Sequence, residues 1–413
     1  MTQSHYFPSI PVVFEEKFPE GYVNDVLGWG NFPLSELHNK TKDGIYELKC
    51  LDIDLGIGCT LNCPHCFKRT YNSDLTQGKM LSFNDYILIA EKAKKLGLKS
   101  IKIVGAGEPF ENKEILPFLR KMTEMDIHVS IFTKGHVLGN DELAKRYFSQ
   151  YGIESARQLV SELYGLKTSI LLGFNSFHKD IQGVYVGLQG KRLDDFYDNR
   201  NNALLYLCEA GFNKYISGTA TRLALIAAPF KTEYLDDILE IFEWARHRNI
   251  YTITCPTTES GDGRKEMVRV SGDEGDPFEA YRKAAIDFYV KIYNWSIENG
   301  IIKLEDFKMQ GVSLYPGSHA CNQTSCGMYV TYDGRVMQCP GFDNETSLVD
   351  NDVRELDIQE AWLNSPNYKR AMQVGRFNYE CIARVHTLHF NHENFYSVIY
   401  NKVLRKWEKE RTT

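Results

Sequence analysis

The chain reads as an α/β protein, a partial (β/α)6 TIM-like barrel followed by a β-hairpin-plus-helix extension. Three observations predict this. Strand-like and helix-like runs alternate through the first two thirds of the chain, as they do where crossover helices connect parallel strands. Chemistry-bearing loops directly follow the first two strand-like runs, where barrel ligands are bound. A strong turn signal, Asp333–Gly334, then separates two short β-prone runs near the C-terminal third.

The strand-like runs are 49–57, 100–104, 128–133, 168–174, 219–227 and 250–255, with helix-like runs near 83–97, 113–125, 140–164, 193–210 and 233–248. Six strands suit an open (β/α)6 barrel. Asp276–Pro277–Phe278–Glu279 combines a capping residue, a first-turn proline and a glutamate at the third position, so a helix is expected from there to about Gly300. Residues 256–276 are polar and glycine-containing, the composition of a binding loop or junction rather than an ordinary turn. The expected organisation is an N-terminal extension over 1–47, a core over 48–275, a linking helix over 276–310 and a second unit over 311–413.

The most specific motif is Cys59–Thr60–Leu61–Asn62–Cys63–Pro64–His65–Cys66, directly after the first strand. A [4Fe–4S] cube has four irons and full protein ligation uses four thiolates, so a compact loop of three leaves one iron for another ligand. A structural zinc site with a distant fourth ligand is the competing reading. The second strand runs into Gly105–Ala106–Gly107–Glu108–Pro109. Glycines allow close approach of the backbone to a ligand at a strand's carboxyl end, and Glu108 offers an acceptor for an ammonium group.

Together these two motifs resemble the radical S-adenosylmethionine (SAM) superfamily, with its C-x3-C-x-Φ-C loop and GGEP-type second strand. Ala106 stands where glycine is usual. The resemblance implies that Cys59, Cys63 and Cys66 hold a [4Fe–4S] cluster, that SAM chelates the open iron, and that its reductive cleavage gives a 5′-deoxyadenosyl radical. It also implies a flavodoxin- or ferredoxin-type electron donor. His65 would pack near the adenine, and Gly105, Gly107, Glu108 and Pro109 would line the SAM site. Thr133 and Lys134, in Thr133–Lys134–Gly135, resemble the family's turn after the third strand. Asn175 and Ser176 would meet the ribose, and Arg222 the methionine carboxylate.

A second cysteine group, Cys321, Cys326, Cys339 and Cys381, surrounds the hairpin Tyr329–Tyr332/Arg335–Cys339. The run from Cys321 through Gly334 to Cys339 resembles SPASM and twitch domains, which carry auxiliary Fe–S clusters; the later dense cysteine array of full SPASM domains is missing. One auxiliary [4Fe–4S] cluster is therefore expected, with a zinc knuckle as the alternative. Full ligation including Cys381 would confine that cluster to electron transfer. Cys255, ending the sixth strand, is either an ordinary buried thiol or a hydrogen donor of the kind used by radical epimerases.

Ten cysteines, no signal peptide and no membrane-spanning apolar run point to a reducing cytoplasm. A net charge of −6 argues against a general nucleic-acid surface. The basic C-terminal run Lys402–Arg411 reads as a solvated helix. The expected activity is hydrogen abstraction from a small polar metabolite, oxidising or rearranging it with help from the auxiliary cluster. A peptide-modifying maturase, a radical epimerase and a non-catalytic zinc-stabilised protein are the alternatives. Residues 1–47 are fewer than the roughly 80 a winged-helix leader-peptide-binding module needs, which favours the metabolite.

Overall fold

A computed structural model describes residues 10–30, 32–67, 80–263, 278–315, 321–342, 348–373, 381–384, 388–390 and 393–410. Six strands lie parallel in sequential order: β1 (Cys50–Ile53), β2 (Ser100–Ile103), β3 (His128–Thr133), β4 (Thr168–Gly173), β5 (Leu223–Ile226) and β6 (Tyr251–Ile253). Their apolar residues alternate between two covered faces, as parallel strands sandwiched by crossover helices require. The sheet does not close. At its other edge β1 pairs in parallel with β7 (Gly327–Val330), which turns through Asp333–Gly334 into antiparallel β8 (Arg335–Met337) and then β9 (Leu348–Asp352). The hairpin predicted from Asp333–Gly334 is present, and it extends the barrel sheet itself. Gly334 takes φ +90°, the left-handed conformation this turn requires.

The helices follow their sequence signals. Phe83–Lys95 starts with a capping box, Ser82 and Asp85 each bonding the other's backbone N–H, and carries Lys92, Lys94 and Lys95 in its last turn. Its buried residues Tyr86, Ile89, Ala90 and Ala93 recur at helical spacing and face the sheet. The expected single helix over 140–164 is two, Asp141–Phe148 and Ala156–Gly165. Gly152 turns left-handed between them and Ser155 caps the second through Gln158 N–H at 3.2 Å. The helix Lys179–Val186 has no counterpart among the expected elements.

Two large apolar cores form among the described residues, beside smaller clusters. The larger lies between the sheet and its outer helices, around Ile53, Ile101, Ile131, Phe118 and Leu119. The smaller joins helix Leu235–Arg246 to helices Glu279–Glu298 and Phe395–Glu410 through Phe242, Ile292, Phe395, Ile399 and Val403. The C-terminal helix is therefore docked along one face, a correction to the solvated reading of its basic run. Each fully buried aliphatic chain of this kind contributes roughly 1.5–3 kcal/mol. The long helix Glu279–Glu298 ends near Gly300 as expected, while Asp276 and Pro277 lie outside the described residues.

The N-terminal segment closes the bottom of the barrel. Val26 bridges Thr221, Leu27 C=O accepts from Ser130 Oγ at 3.2 Å, and Trp29 packs against Phe132 and Tyr315. Above Trp29 the interior is polar. Asp52 and Lys102, paired across β1 and β2, form a buried ion pair at 3.0 Å, and Lys102 also donates to Gln323 at 3.0 Å. Tyr329 on β7 donates to the Asp54 carboxylate.

Candidate active site

The Cys59–Cys66 loop leaves the carboxyl end of β1 with almost no regular structure. Neighbouring loops hold it. Glu108 N–H donates to Gly58 C=O at 2.8 Å. Thr60 donates from its N–H (3.0 Å) and its hydroxyl (2.6 Å) to the two oxygens of Glu111. Arg192 donates to Thr60 C=O at 3.1 Å, Asn112 to Leu55 C=O, and Asp262 N–H to Cys66 C=O at 2.9 Å. Within the loop Cys66 N–H reaches back to Cys63 C=O at 3.2 Å. Cys59 is exposed, and Cys63 and Cys66 are half-buried.

The glycine-rich strap after β2 fits against this loop. A Cβ on Gly107 would lie 2.3 Å from Gly58 C=O, so only glycine permits the two backbones to approach this closely. Gly105, at φ +71°, would similarly place a Cβ 2.7 Å from Gly107 C=O. Pro109 opens a 3-10 turn, Pro109–Glu111, whose cap is Glu108. The buried Glu108 carboxylate accepts from Thr133 Oγ1, from Lys134 N–H at 2.8 Å and from Phe110 N–H at 3.4 Å. Burial pushes this carboxyl above its ordinary value, against the pull of His136 and these donors. A cavity of about 420 Å³ opens between strap and loop, lined by Gly56, Gly58, Gly105, Gly107, Glu108 and Glu111 among others.

The structure thus brings Cys59, Cys63, Cys66, Gly105, Gly107, Glu108, Pro109, Thr133 and Lys134 to one end of the barrel. His65 is buried there, its ring edge-on to Tyr185 at 5.7 Å. Asn175 and Ser176 follow β4 at the same end, but both are fully buried and bonded into the scaffold: Asn175 donates to Ala228 C=O at 3.2 Å and Ser176 to Asp237 at 2.8 Å. Arg222 requires a correction. It precedes β5 at the opposite end of the barrel, where its guanidinium caps the carbonyls of Tyr164, Leu166 and Thr168 at 3.0, 2.7 and 2.8 Å. A cation committed to a helix C-terminus at the barrel's bottom does not meet a ligand at its mouth.

Glu111 and His136 were not anticipated. His136 Nε2 lies 2.8 Å from Glu111 Oε1, so one carboxylate ties the cysteine loop to the turn after β3. Burial alone would raise the Glu111 carboxyl, but the hydrogen bonds from His136 and Thr60 together hold it below its ordinary value. Glu111 stands three residues beyond Glu108, a position that could have marked it; nothing in the sequence pairs it with His136.

The second cysteine group divides. Cys326 is fully buried, its thiol 3.3 Å from Asn322 C=O, and packs with Cys50 and Leu37. Cys321, Cys339 and Cys381 are electrostatic neighbours of one another. Cys255 joins them: Arg384 donates to the sulfurs of both Cys381 and Cys255 at 3.0 Å. Among the described residues no three His, Cys, Asp or Glu side chains already stand in the arrangement that grips a single metal ion.

Residues 53–245, just under half of the chain, match the Radical SAM superfamily. The class is that of radical SAM enzymes, for which a [4Fe–4S] cluster and SAM are the implied cofactors. The residues fit these groups: three thiols share one braced loop, beside a glycine cradle that a Cβ would fill and a buried carboxylate. The chain is 35% identical over 68 residues to the GTP 3′,8-cyclase of Geobacter sulfurreducens, a match covering 16% of this chain and 21% of that relative's length. It is 20% identical over 305 residues to the GTP 3′,8-cyclase of Sulfurimonas denitrificans, covering 73% and 83% of the two chains. Among solved structures, Streptococcus suis SuiB bound to S-adenosylmethionine is similar in fold, with a TM-score of 0.51 at 17% identity over 80% of this chain and 69% of that one. Among the described residues no helix is long and apolar enough to cross a membrane.

Proposed function

We propose that this radical SAM enzyme abstracts a hydrogen atom from a small polar metabolite and oxidises or rearranges it with the help of an auxiliary [4Fe–4S] cluster near the hairpin. The observation that carries the reading is the bracing of the Cys59–Cys66 loop by the Gly105–Glu111 strap beside the cavity. Cys59, Cys63 and Cys66 would hold the first cluster, and Cys321, Cys339 and Cys381 would contribute to the second. When bound, the first cluster supplies the electron for SAM cleavage. Glu108 has two oxygens with about four lone-pair sites, so after Thr133 and Lys134 are satisfied it still accepts from the ammonium group of SAM. Gly107 keeps the strap close to the loop, and Glu111 fixes Thr60 beside Cys59.

Two features support a metabolite over a peptide. The barrel interior carries Asp52, Lys102 and Asp54, groups suited to hydrogen-bonding a small polar molecule deep in the barrel. The relatives named as GTP 3′,8-cyclases point to a nucleotide-sized substrate. The test is anaerobic turnover with pools of nucleotides, sugars and amino-acid derivatives against peptide pools, reading 5′-deoxyadenosine and substrate mass together. Acceleration of SAM consumption by a polar metabolite, with a matching mass change, is expected. Acceleration by peptides alone would overturn the metabolite reading in favour of a maturase.

A further inference from the structure

The fold assembles a group of sulfurs that sequence spacing does not suggest. Cys255, two residues beyond β6, and Cys381 face one guanidinium: Arg384 Nη2 lies 3.0 Å from Cys255 Sγ and Nη1 3.0 Å from Cys381 Sγ, while Nε donates to Pro256 C=O at 2.6 Å. The segments carrying these thiols are locked together. Glu259 N–H donates to Ala383 C=O at 2.9 Å. Gly341, two residues past Cys339, sits so close that a Cβ there would meet Thr258 at 2.9 Å and Ala383 at 3.0 Å. Cys321 and Cys339 each interact electrostatically with Cys381. Cys326 also interacts electrostatically with Cys321, but its thiol is fully buried against Asn322 and Cys50.

Charge points to the same grouping. Arg384 is 4% exposed, and two of its nitrogens donate to the sulfurs of Cys255 and Cys381. A guanidinium does not give up its proton, and a buried cation needs a counter-charge. Neutral thiols supply little. Thiolates holding an iron–sulfur cluster supply it fully, each thiol releasing its proton to solvent on ligation.

We propose that Cys255 takes the ligand position expected for Cys326, so that Cys255, Cys321, Cys339 and Cys381 hold the auxiliary [4Fe–4S] cluster with Arg384 as its counter-cation. This rests on the auxiliary-cluster reading above and makes that cluster fully protein-ligated, an electron carrier with no iron open to substrate. A ligating Cys255 has no S–H to return to a substrate radical. Arg384, acting through the sulfurs, is a positioning residue that favours the reduced, more negative cluster.

The test uses full-length protein carrying Cys59→Ala, Cys63→Ala and Cys66→Ala, in which any cluster iron belongs to the C-terminal centre. After anaerobic reconstitution it should hold about four irons with matching sulfide. Adding Cys326→Ala should leave iron and the EPR spectrum of the reduced protein unchanged, whereas Cys255→Ala should lose iron or yield a three-iron spectrum. Cys255→Ser, which keeps the volume, guards against misfolding and should alter the spectrum in protein with wild-type circular dichroism. Arg384→Gln should keep the iron and move the midpoint potential to more negative values. Loss of the cluster in Cys326→Ala with retention in Cys255→Ala and Cys255→Ser would overturn the assignment, and an unmoved potential in Arg384→Gln would overturn the counter-cation. A parent protein without iron would instead overturn the auxiliary-cluster reading itself.

Discussion

The two cysteine groups are built in opposite ways. Cys59, Cys63 and Cys66 occupy one short loop, and the fold's task is to brace that loop from outside through Gly58, Thr60 and the carbonyl of Cys66. The other thiols come from several segments: one buried arginine, Arg384, bonds the sulfurs of Cys255, after β6, and Cys381, before the last helix, while Gly341, just beyond Cys339, abuts Thr258 and Ala383. The first arrangement is encoded by spacing along the chain. The second exists only once the sheet has formed and brought the hairpin beside β1.

The sharpest separation of the two groups comes from their cysteines. Replacing Cys59, Cys63 or Cys66 by Ala should abolish SAM cleavage altogether, as seen by chromatography of 5′-deoxyadenosine. Cys381→Ala should leave SAM cleavage measurable while product formation is lost. Equal loss of SAM cleavage in both would erase the functional distinction between the groups.

Gly107→Ala should come next in size. Its new methyl group would sit against Gly58 C=O, and separating strap from loop should cost about 1–3 kcal/mol, the usual penalty for overpacking. A lower melting temperature and reduced iron in the first cluster are the readouts. An unchanged melting temperature with full iron content would show that the close approach is not required.

Glu111→Gln keeps the shape of the strap but weakens its charge-assisted bonds to Thr60 and His136. Partners that orient metal ligands are typically worth about 10–100-fold, so SAM-cleavage rate should fall within that range while any iron held by the C-terminal cysteines is unaffected. Identical activity in the variant would reduce Glu111 to packing.

No local sequence pattern pairs Glu111 with His136. The six parallel strands, the hairpin and the loop motif were legible because each is carried by local periodicity, turn chemistry or contiguous spacing. The break at Gly152 was missed because apolar spacing on both sides suits one long helix. Arg222 was misplaced because the strand-like run 219–227 sets it inside the strand, whereas β5 begins at Leu223 and leaves Arg222 at its amino end. The docking of β7 on β1 joins segments nearly 280 residues apart, and no local pattern encodes it. Arg384 stood three residues from Cys381 in plain view, but its link to Cys255 is purely tertiary.

The smallest expected effect lies at the barrel's bottom, away from both cysteine groups. Burial, with Arg222 and Lys167 nearby, lowers His128 from its ordinary value to about 3. Because the folded form resists protonation, its stability contribution is complete above the unfolded value of about 6.5 and is lost as pH falls from there toward 3. His128→Asn should flatten that part of the stability–pH curve in denaturant titrations without changing SAM cleavage. An unchanged slope would refute a buried neutral His128.

The central claim is that the braced three-cysteine loop is a site for reductive SAM cleavage. Its most direct test is anaerobic incubation of the reconstituted, reduced protein with SAM, measuring 5′-deoxyadenosine and methionine in wild-type and Cys63→Ala protein. The account predicts both products from the wild type and neither from the variant. Wild-type protein with spectroscopically intact clusters that left SAM uncleaved under strong reductant would contradict it.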